Sequence, residues 1–208
     1  MWKIKNLVVV GTSHIEKKVH RRLDHVFQKF RPKVVALELD LARYRVLYDT
    51  SRRRSWSFAG VLGWFQDALG ASEGVAPGAD MRAADMLAKK YGAVVVCVDR
   101  PVQVTLQRLK KSLSWREKLL LLKDMLFALV VRPKVVLPKS GEVDRLMEEL
   151  KFRFPNVYEV LVVERDEVLG KALYNLMVKT KGKVLAVVGA GHSVGVKKVV
   201  MECLRKKS

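Results

Sequence analysis

Short runs of β-branched residues alternate with helical periodicity along this chain, and this alternation constrains its fold more than any other feature. Five such runs occur, and we predict a strand for each, over 7–10, 33–39, 93–99, 157–166 and 183–191. The stretches between and after them fit helices, most clearly over 15–30, 81–92, 167–179 and 194–207. The pattern is typical of an α/β fold with a largely parallel central sheet flanked by helices.

Two stretches are longer than a minimal β–α–β unit requires. Residues 41–75 start as LARYRVLY, pass through SRRRS and continue as WSFAGVLGWFQDALG, and residues 105–131 form a second long helical pattern. We expect a helical insertion that caps the sheet edge. The large apolar residues of 56–65 and 119–131 leave a homodimer surface as the alternative. The chain length, 208 residues, predicts a single domain over 1–208.

Charge and cysteine content narrow the class of protein. There are 40 Lys and Arg against 21 Asp and Glu, a net charge of +19, which predicts nonspecific attraction to nucleic acid or to an anionic membrane. Cys97 and Cys203 form no CxxC pair and have no zinc-finger spacing, which favours a reducing, cytoplasmic location. Scarce Asn and Gln (seven in all) hint at a heat-adapted source.

The most apolar run does not have the pattern of a membrane span. Residues 119–131 are interrupted by Lys123 and Asp124 and fall well short of about 20 apolar residues. We therefore predict no transmembrane segment.

Each predicted strand is followed by polar or glycine residues. They are Gly11-Thr12-Ser13-His14, Glu38-Leu39-Asp40, Asp99-Arg100, Glu164-Arg165-Asp166 and Gly189-Ala190-Gly191-His192. Because the carboxyl ends of parallel strands share one edge of a sheet, we expect these side chains to converge there.

Two imidazoles with nearby carboxylates match a divalent metal site that holds Mn, Co or Zn. Such a site lowers the pKa of bound water and suits hydrolysis. His14 and His192 each follow a glycine by three residues, and we expect that glycine to allow a sharp turn. The arginines are suited to bind a substrate carboxylate or phosphate.

The same residues also have structural interpretations. Glu38 and Glu164 can pair with Arg43, Arg100 or Arg165, and Asp40 can cap a helix over LARYRVLY. We expect His20 and His25 to be solvated. GAGHSVG (189–195) misses the G-x-G-x-x-G spacing and is followed by too little chain for a ribose-binding strand, so we predict no nucleotide cofactor.

Five sequence blocks, in order, resemble the TraB/PrgY family, which is related to the TIKI metalloproteases and to the erythromycin esterase/ChaN-like group. The blocks are GTSHIEKKV, VALELDLARYRVL, GVAPGADMRAADMLAKKYGAVVVCVDRPVQVTLQR, VVERDEVL and GAGHSVGV. The resemblance implies that His14, His192 and Glu38 act together in divalent-metal-dependent peptide cleavage. Asp80 stands where the family typically has Glu, which leaves the role of that carboxylate open.

The leading hypothesis is a metal-dependent, peptidase-like hydrolase. His14, His192 and Glu38 would hold the metal, with Glu164 as a further ligand or general base. Arg100 and Arg165 would place a peptide or small-molecule substrate, and Asp80, Asp99 and Asp166 are possible additional site residues. The alternative is a non-catalytic protein that binds a peptide or small ligand on the same scaffold. A protein that associates with nucleic acid through its charge is a third hypothesis.

Overall fold

A computed structural model describes residues 1–12, 19–48, 78–131 and 143–207. Its centre is a five-stranded sheet in the order β1-β2-β5-β3-β4. The strands are β1 (Trp2–Ile4), β2 (Leu7–Thr12), β3 (Val34–Leu37), β4 (Val94–Cys97) and β5 (Val184–Gly189). Strand β1 pairs antiparallel with β2, and every other neighbouring pair is parallel. The predicted α/β class is confirmed.

The helices follow the strands as the alternation predicts. They are α1 (Val19–Phe30), α2 (Leu41–Arg45), α3 (Ala79–Lys90), α4 (Val102–Ser112), α5 (Trp115–Val131), α6 (Val143–Arg153), α7 (Pro155–Tyr158), α8 (Glu164–Lys179) and α9 (Ser193–Arg205). A π-helix, Glu159–Val163, joins α7 to α8, and a 3₁₀ turn, Ala190–His192, precedes α9.

Both faces of the sheet are buried. Alternate side chains of each strand point to opposite faces. On one face Val8, Val10, Leu185 and Val187 pack against α1 and α3, with Phe27 fully buried. On the other face alternate strand residues pack against α8 and α9, and they include Leu7, Val9, Ala186 and Val188. Burial on both faces explains why these strands read as continuous apolar runs.

The predicted strand over 157–166 is wrong. This segment is helical, running from α7 through the π-helix into α8. Pro155 occupies the first turn of α7, where its missing N–H is tolerated. Val157 and Val160 are buried against Leu109 and Phe154 in a third core cluster. A short apolar run buried on all sides has no periodicity that separates strand from helix.

The predicted helical structure over 105–131 is confirmed by α4 and α5, which pack with the 143–163 segment. The 41–75 stretch begins as α2, and residues 49–77 lie outside the described residues. Strand β1 and helix α6 were not predicted. None of the described helices is long and apolar enough to cross a bilayer.

Candidate functional site at the carboxyl edge of the sheet

Arg165 lies at the centre of a cluster of charged side chains at the carboxyl edge. Glu38 directly follows β3, and Asp99 lies shortly after β4. The Arg165 Nη2 donates to Glu38 Oε1 at 2.6 Å and to Asp99 Oδ2 at 2.7 Å. Its Nη1 lies 3.1 Å from His192 Nε2, in the turn after β5. One guanidinium therefore joins the ends of three parallel strands.

Asp166 orients the His192 ring. The Asp166 Oδ1 lies 2.8 Å from His192 Nδ1, so with a proton on Nδ1 the ring donates to this carboxylate. The other nitrogen, Nε2, then accepts a hydrogen bond from Arg165 Nη1, and Glu38 Oε1 lies 3.6 Å from it. Burial raises the pKa of Asp166 even though His192 and Arg165 act in the opposite direction.

Glu38 is ionised despite its burial. Burial raises its pKa, but His192, the Arg165 guanidinium and the Gly189 N–H, which donates to Oε2 at 2.6 Å, together hold it below its usual value. The site therefore contains a carboxylate at neutral pH whose charge is balanced by a guanidinium.

Asp99 is also ionised, and its side chain is almost completely buried. It is 2% exposed and its pKa is lowered to about 2, since Arg165 and Arg43 outweigh the effect of burial. The Arg43 Nη2 lies 2.6 Å from Asp99 Oδ2, and its Nε donates to Asp40 at 2.6 Å. Asp40 also accepts the Arg43 backbone N–H, and so caps α2 as expected.

The π-helix exposes a carbonyl that Arg100 binds. The Glu164 N–H donates to the carbonyl of Glu159 rather than to that of Val160. The Arg100 Nη2 donates to the Val160 carbonyl instead, at 2.7 Å. Its Nη1 pairs with Glu164 at 2.8 Å and its Nε donates to Thr105 at 2.9 Å. Arg100 thus fixes the helix from which Arg165 and Asp166 project.

Glu164 lies beside the cluster rather than in it. Hydrogen bonds from Arg108 lower its pKa, burial raises it, and Arg100 lowers it further. Among the described residues, Glu164 and the Arg100 side chain have no hydrogen bond or ion pair with the side chains around Arg165, although the Arg100 backbone N–H donates to Asp99 Oδ1 at 2.8 Å.

Asp80 occupies another position near the end of β2. Its carboxylate accepts from Thr12 Oγ1 at 2.5 Å and from the Met81 N–H at 2.9 Å. Hydrogen bonds thus join Glu38, Asp99, Arg165, Asp166 and His192. The Arg100 side chain binds Glu164, and Asp80 binds Thr12 at the end of β2. His14 lies outside the described residues. His20 and His25 are exposed, as predicted.

Of the glycines in 189–195, Gly195 is required for space, whereas Gly189 is not required for a sharp turn. Gly189 has φ −58° and ψ 145°, which any residue adopts, so the expected turn role is wrong for this glycine. In contrast, a Cβ on Gly195 would lie 1.8 Å from Asp166 Oδ2. Gly195 therefore allows α9 to approach the carboxylate that orients His192.

Arg43 belongs to the cluster through Asp99, although it was not predicted as a site residue. Its spacing of three residues from the helix-capping Asp40 was the available signal, since i and i+3 side chains meet on a helix. Its second contact, with Asp99, is 56 positions away in sequence and depends on the pairing of β3 with β4.

Comparison with known proteins agrees with the predicted family resemblance. The sequence profile of the TraB/PrgY/gumN family matches residues 138–207, which contain Arg165, Asp166 and His192. An uncharacterized protein of Methanocaldococcus jannaschii is 28% identical over 208 residues, covering 92% of this chain and 52% of the relative. The chain thus spans about half the length of this curated relative.

A solved structure of ChaN from Campylobacter jejuni, described for cofacial heme binding, covers 93% of this chain and 77% of its own. Its sequence identity is 11% and its TM-score is 0.41. A likeness at this level carries no conclusion about function.

Proposed function

We propose, from the likeness to the TraB/PrgY/gumN family and the geometry of the carboxyl-edge cluster, that this chain is a divalent-metal-dependent hydrolase acting on peptides. The observation that carries the proposal is the facing pair of His192 and Glu38, 3.6 Å apart, with Asp166 on the opposite ring nitrogen. Metal-binding histidines in proteins almost always donate their second N–H to a carboxylate or carbonyl in this way.

The donor chemistry of the site fits such a cation. His192 Nε2 and the Glu38 carboxylate would hold Mn, Co or Zn, and His14 is the proposed third ligand. In the described residues, no group of three His, Cys, Asp or Glu side chains is placed to share a metal. Arg165 donates to the same Nε2 and the same Glu38 oxygen. Loading therefore requires this guanidinium to give up both contacts.

A divalent cation in this position would polarise a substrate carbonyl and lower the pKa of a bound water. The side chains of this chain orient the ligands and the substrate. Asp166 keeps the His192 ring in one orientation, and Asp99 remains negative at neutral pH and retains Arg165 near the site. A guanidinium has more N–H donors than these contacts use, so Arg165 also has donors for a substrate oxygen.

A metal titration tests the proposal. Wild-type protein purified without chelator is titrated with Mn²⁺, Co²⁺ and Zn²⁺ in a calorimeter, and its metal content is measured by mass spectrometry. We expect one ion per chain, lost in His14→Ala and in His192→Ala. The matched control is His25→Ala, since His25 is exposed on α1 and should leave binding unchanged. A peptide-library digest with and without chelator then tests cleavage.

A second candidate is a non-catalytic protein that binds a peptide or small ligand. The observation that favours it is the central position of Arg165, which forms ion pairs with the proposed ligand Glu38 and with Asp99. An absence of bound metal after reconstitution, together with saturable binding of an acidic peptide that is lost in Arg165→Met, would replace the hydrolase proposal with this one.

A further inference from the structure

At the amino edge of the sheet, opposite the candidate site, the charged residues in the segments before β2, β3 and β5 are all basic. The loops that precede β2, β3 and β5 read KIKN (3–6), KFRPK (29–33) and VKTKGK (178–183) and contain no Asp or Glu. We define the amino-edge cations as the exposed residues Lys5, Arg31, Lys33, Lys179, Lys181 and Lys183.

Hydrogen bonds connect the three loops that carry these cations. The Asn6 amide contacts the carbonyls of Thr180 and Gly182 at 3.1 and 2.8 Å, which ties the β1–β2 turn to the loop before β5. The Lys33 N–H donates to the Lys183 carbonyl at 2.8 Å, which ties that loop to the one before β3. The basic side chains therefore project from three adjoining backbones.

The amino-edge cations have no acidic partners in the part of the chain that the structure describes. The neighbouring Lys89 and Lys90 pair with Asp85 and Asp24, respectively. No ion pair involves any of the six amino-edge cations among the described residues. Cations without an acidic partner among the described residues create a positive potential that attracts anions.

Two of the cations stand where the backbone favours glycine. Lys5 has φ 50° and Arg31 has φ 48°, both in the left-handed region that side chains with a Cβ disfavour. Lys5 is also the first central residue of a two-residue hairpin turn between Ile4 and Leu7, a position where glycine is common. Lys5 and Arg31 thus occupy positions where the backbone conformation favours glycine over any residue with a Cβ.

We infer that the amino-edge cations form a binding surface for the phosphate backbone of duplex nucleic acid, independent of base sequence. Five strands about 4.8 Å apart give an edge of about 20 Å, along which a duplex presents roughly 12 phosphate charges. No aromatic side chain is exposed among the described loops of this edge, so stacking on single-stranded bases is absent. Its exposed large apolar residues are Val94 and Val178, too small to anchor a membrane.

The first experiment compares two variants with the same charge. The edge variant is Lys33→Gln/Lys181→Gln/Lys183→Gln, and the control is Lys110→Gln/Lys111→Gln/Lys123→Gln, whose lysines are exposed on α4 and α5. Fluorescence anisotropy measures binding to a short labelled duplex DNA from roughly 50 to 200 mM salt. We expect the edge variant to bind about tenfold or more weakly. The slope of log K against log salt concentration should become less steep by about 3, because each lost phosphate contact reduces it by about 1.

Equal losses in the two variants would show that binding follows net charge alone and would overturn the proposal. A wild-type protein that does not bind the duplex at roughly 100 mM salt would also overturn the proposal. Vesicles of phosphatidylserine and phosphatidylcholine are tested alongside. An edge variant that loses vesicle binding and keeps duplex binding would assign the surface to anionic lipid instead.

A second experiment replaces the two cations that have a positive φ, Lys5 and Arg31. In the double variant Lys5→Gly/Arg31→Gly we expect a higher Tm and weaker duplex binding, because glycine suits the left-handed region and the charges are lost. A higher Tm with unchanged affinity at low and high salt would show that these two cations take no part in binding.

Discussion

The two edges of the same sheet use charge in opposite ways. At the carboxyl edge, Arg165 is enclosed by Glu38, Asp99 and His192, so that charges of both signs are buried together. At the amino edge, cations such as Lys33 and Lys181 are exposed and project into solvent. Interactions between charges weaken as the surrounding dielectric rises. The carboxyl edge should therefore govern stability, whereas the amino edge should govern long-range attraction.

The direction of the helices contributes to this division. In a parallel α/β fold the helices that follow strands begin at the carboxyl edge and end at the amino edge. Helix N-termini favour carboxylates and C-termini favour cations. Asp40 caps α2 at the carboxyl edge, and Lys179 ends α8 at the amino edge. Lys5, Lys33 and Lys181 lie outside helices, however, so helix dipoles do not account for them.

The largest predicted effect is the loss of the central cation. Arg165→Met leaves Glu38 and Asp99 buried beside one another without their shared partner, and we expect a loss of about 3–5 kcal/mol in the free energy of unfolding. Urea denaturation at pH 7 measures it. Lys181→Met at the other edge is the matched control and should change stability by less than about 0.5 kcal/mol. Similar losses in both would remove the contrast between the edges.

Acid should weaken the carboxyl edge within a defined pH window. The pKa of Asp99 is lowered to about 2, so its contribution is complete above its unfolded pKa and is lost as pH falls from about 4 through about 2. Glu38, whose pKa is also lowered, acts in the same direction, whereas the raised pKa of Asp166 opposes it. The Asp99 contribution is about 2 kcal/mol.

Denaturation midpoints between pH 5 and pH 2 check this window. The variant Asp99→Asn should be less stable at pH 7 and should lose less stability on acidification than wild type does. An acid profile with the wild-type slope in this variant would show that another carboxylate controls acid unfolding.

Arg100 should contribute less than Arg165, because its one carboxylate partner, Glu164, is more exposed than Glu38 and Asp99. In Arg100→Met the Val160 carbonyl and Glu164 lose their common donor, and we expect a loss of about 2 kcal/mol in unfolding free energy. The neighbouring Arg108→Met removes a bond to Glu164 and leaves the Val160 carbonyl untouched, so it serves as the control. Equal losses would assign the effect to Glu164 alone.

The smallest predicted effect is a salt dependence of stability. Repulsion among the exposed amino-edge cations is screened by salt, so the Tm of wild type should rise by a few degrees between low and physiological ionic strength. The rise should be smaller in the edge variant Lys33→Gln/Lys181→Gln/Lys183→Gln than in the control with three lysines changed on α4 and α5. A wild-type Tm that is independent of salt would contradict mutual repulsion at this edge.

Much of the site was predictable because the rule behind it is topological. Once β3, β4 and β5 are read as parallel strands, Glu38, Asp99 and His192 must follow them at one edge. Arg165 and Asp166 lie at the same edge of the sheet, but they do not follow a strand. We predicted them at the end of a strand, but they lie in the first turn of α8, directly after the π-helix. The sequence of 157–166 has no periodicity that distinguishes a strand from a helix.

The sequence by itself determined the α/β architecture and the amino acids available at each end of the sheet. Only the tertiary structure decided which charges meet. The contact between Arg165 and Glu38 joins residues 127 positions apart, and the contact between His192 and Asp166 depends on the missing Cβ of Gly195. Local patterns are set by backbone periodicity, which sequence records directly. The pairing of buried charges is set by packing between distant segments, which no single segment encodes.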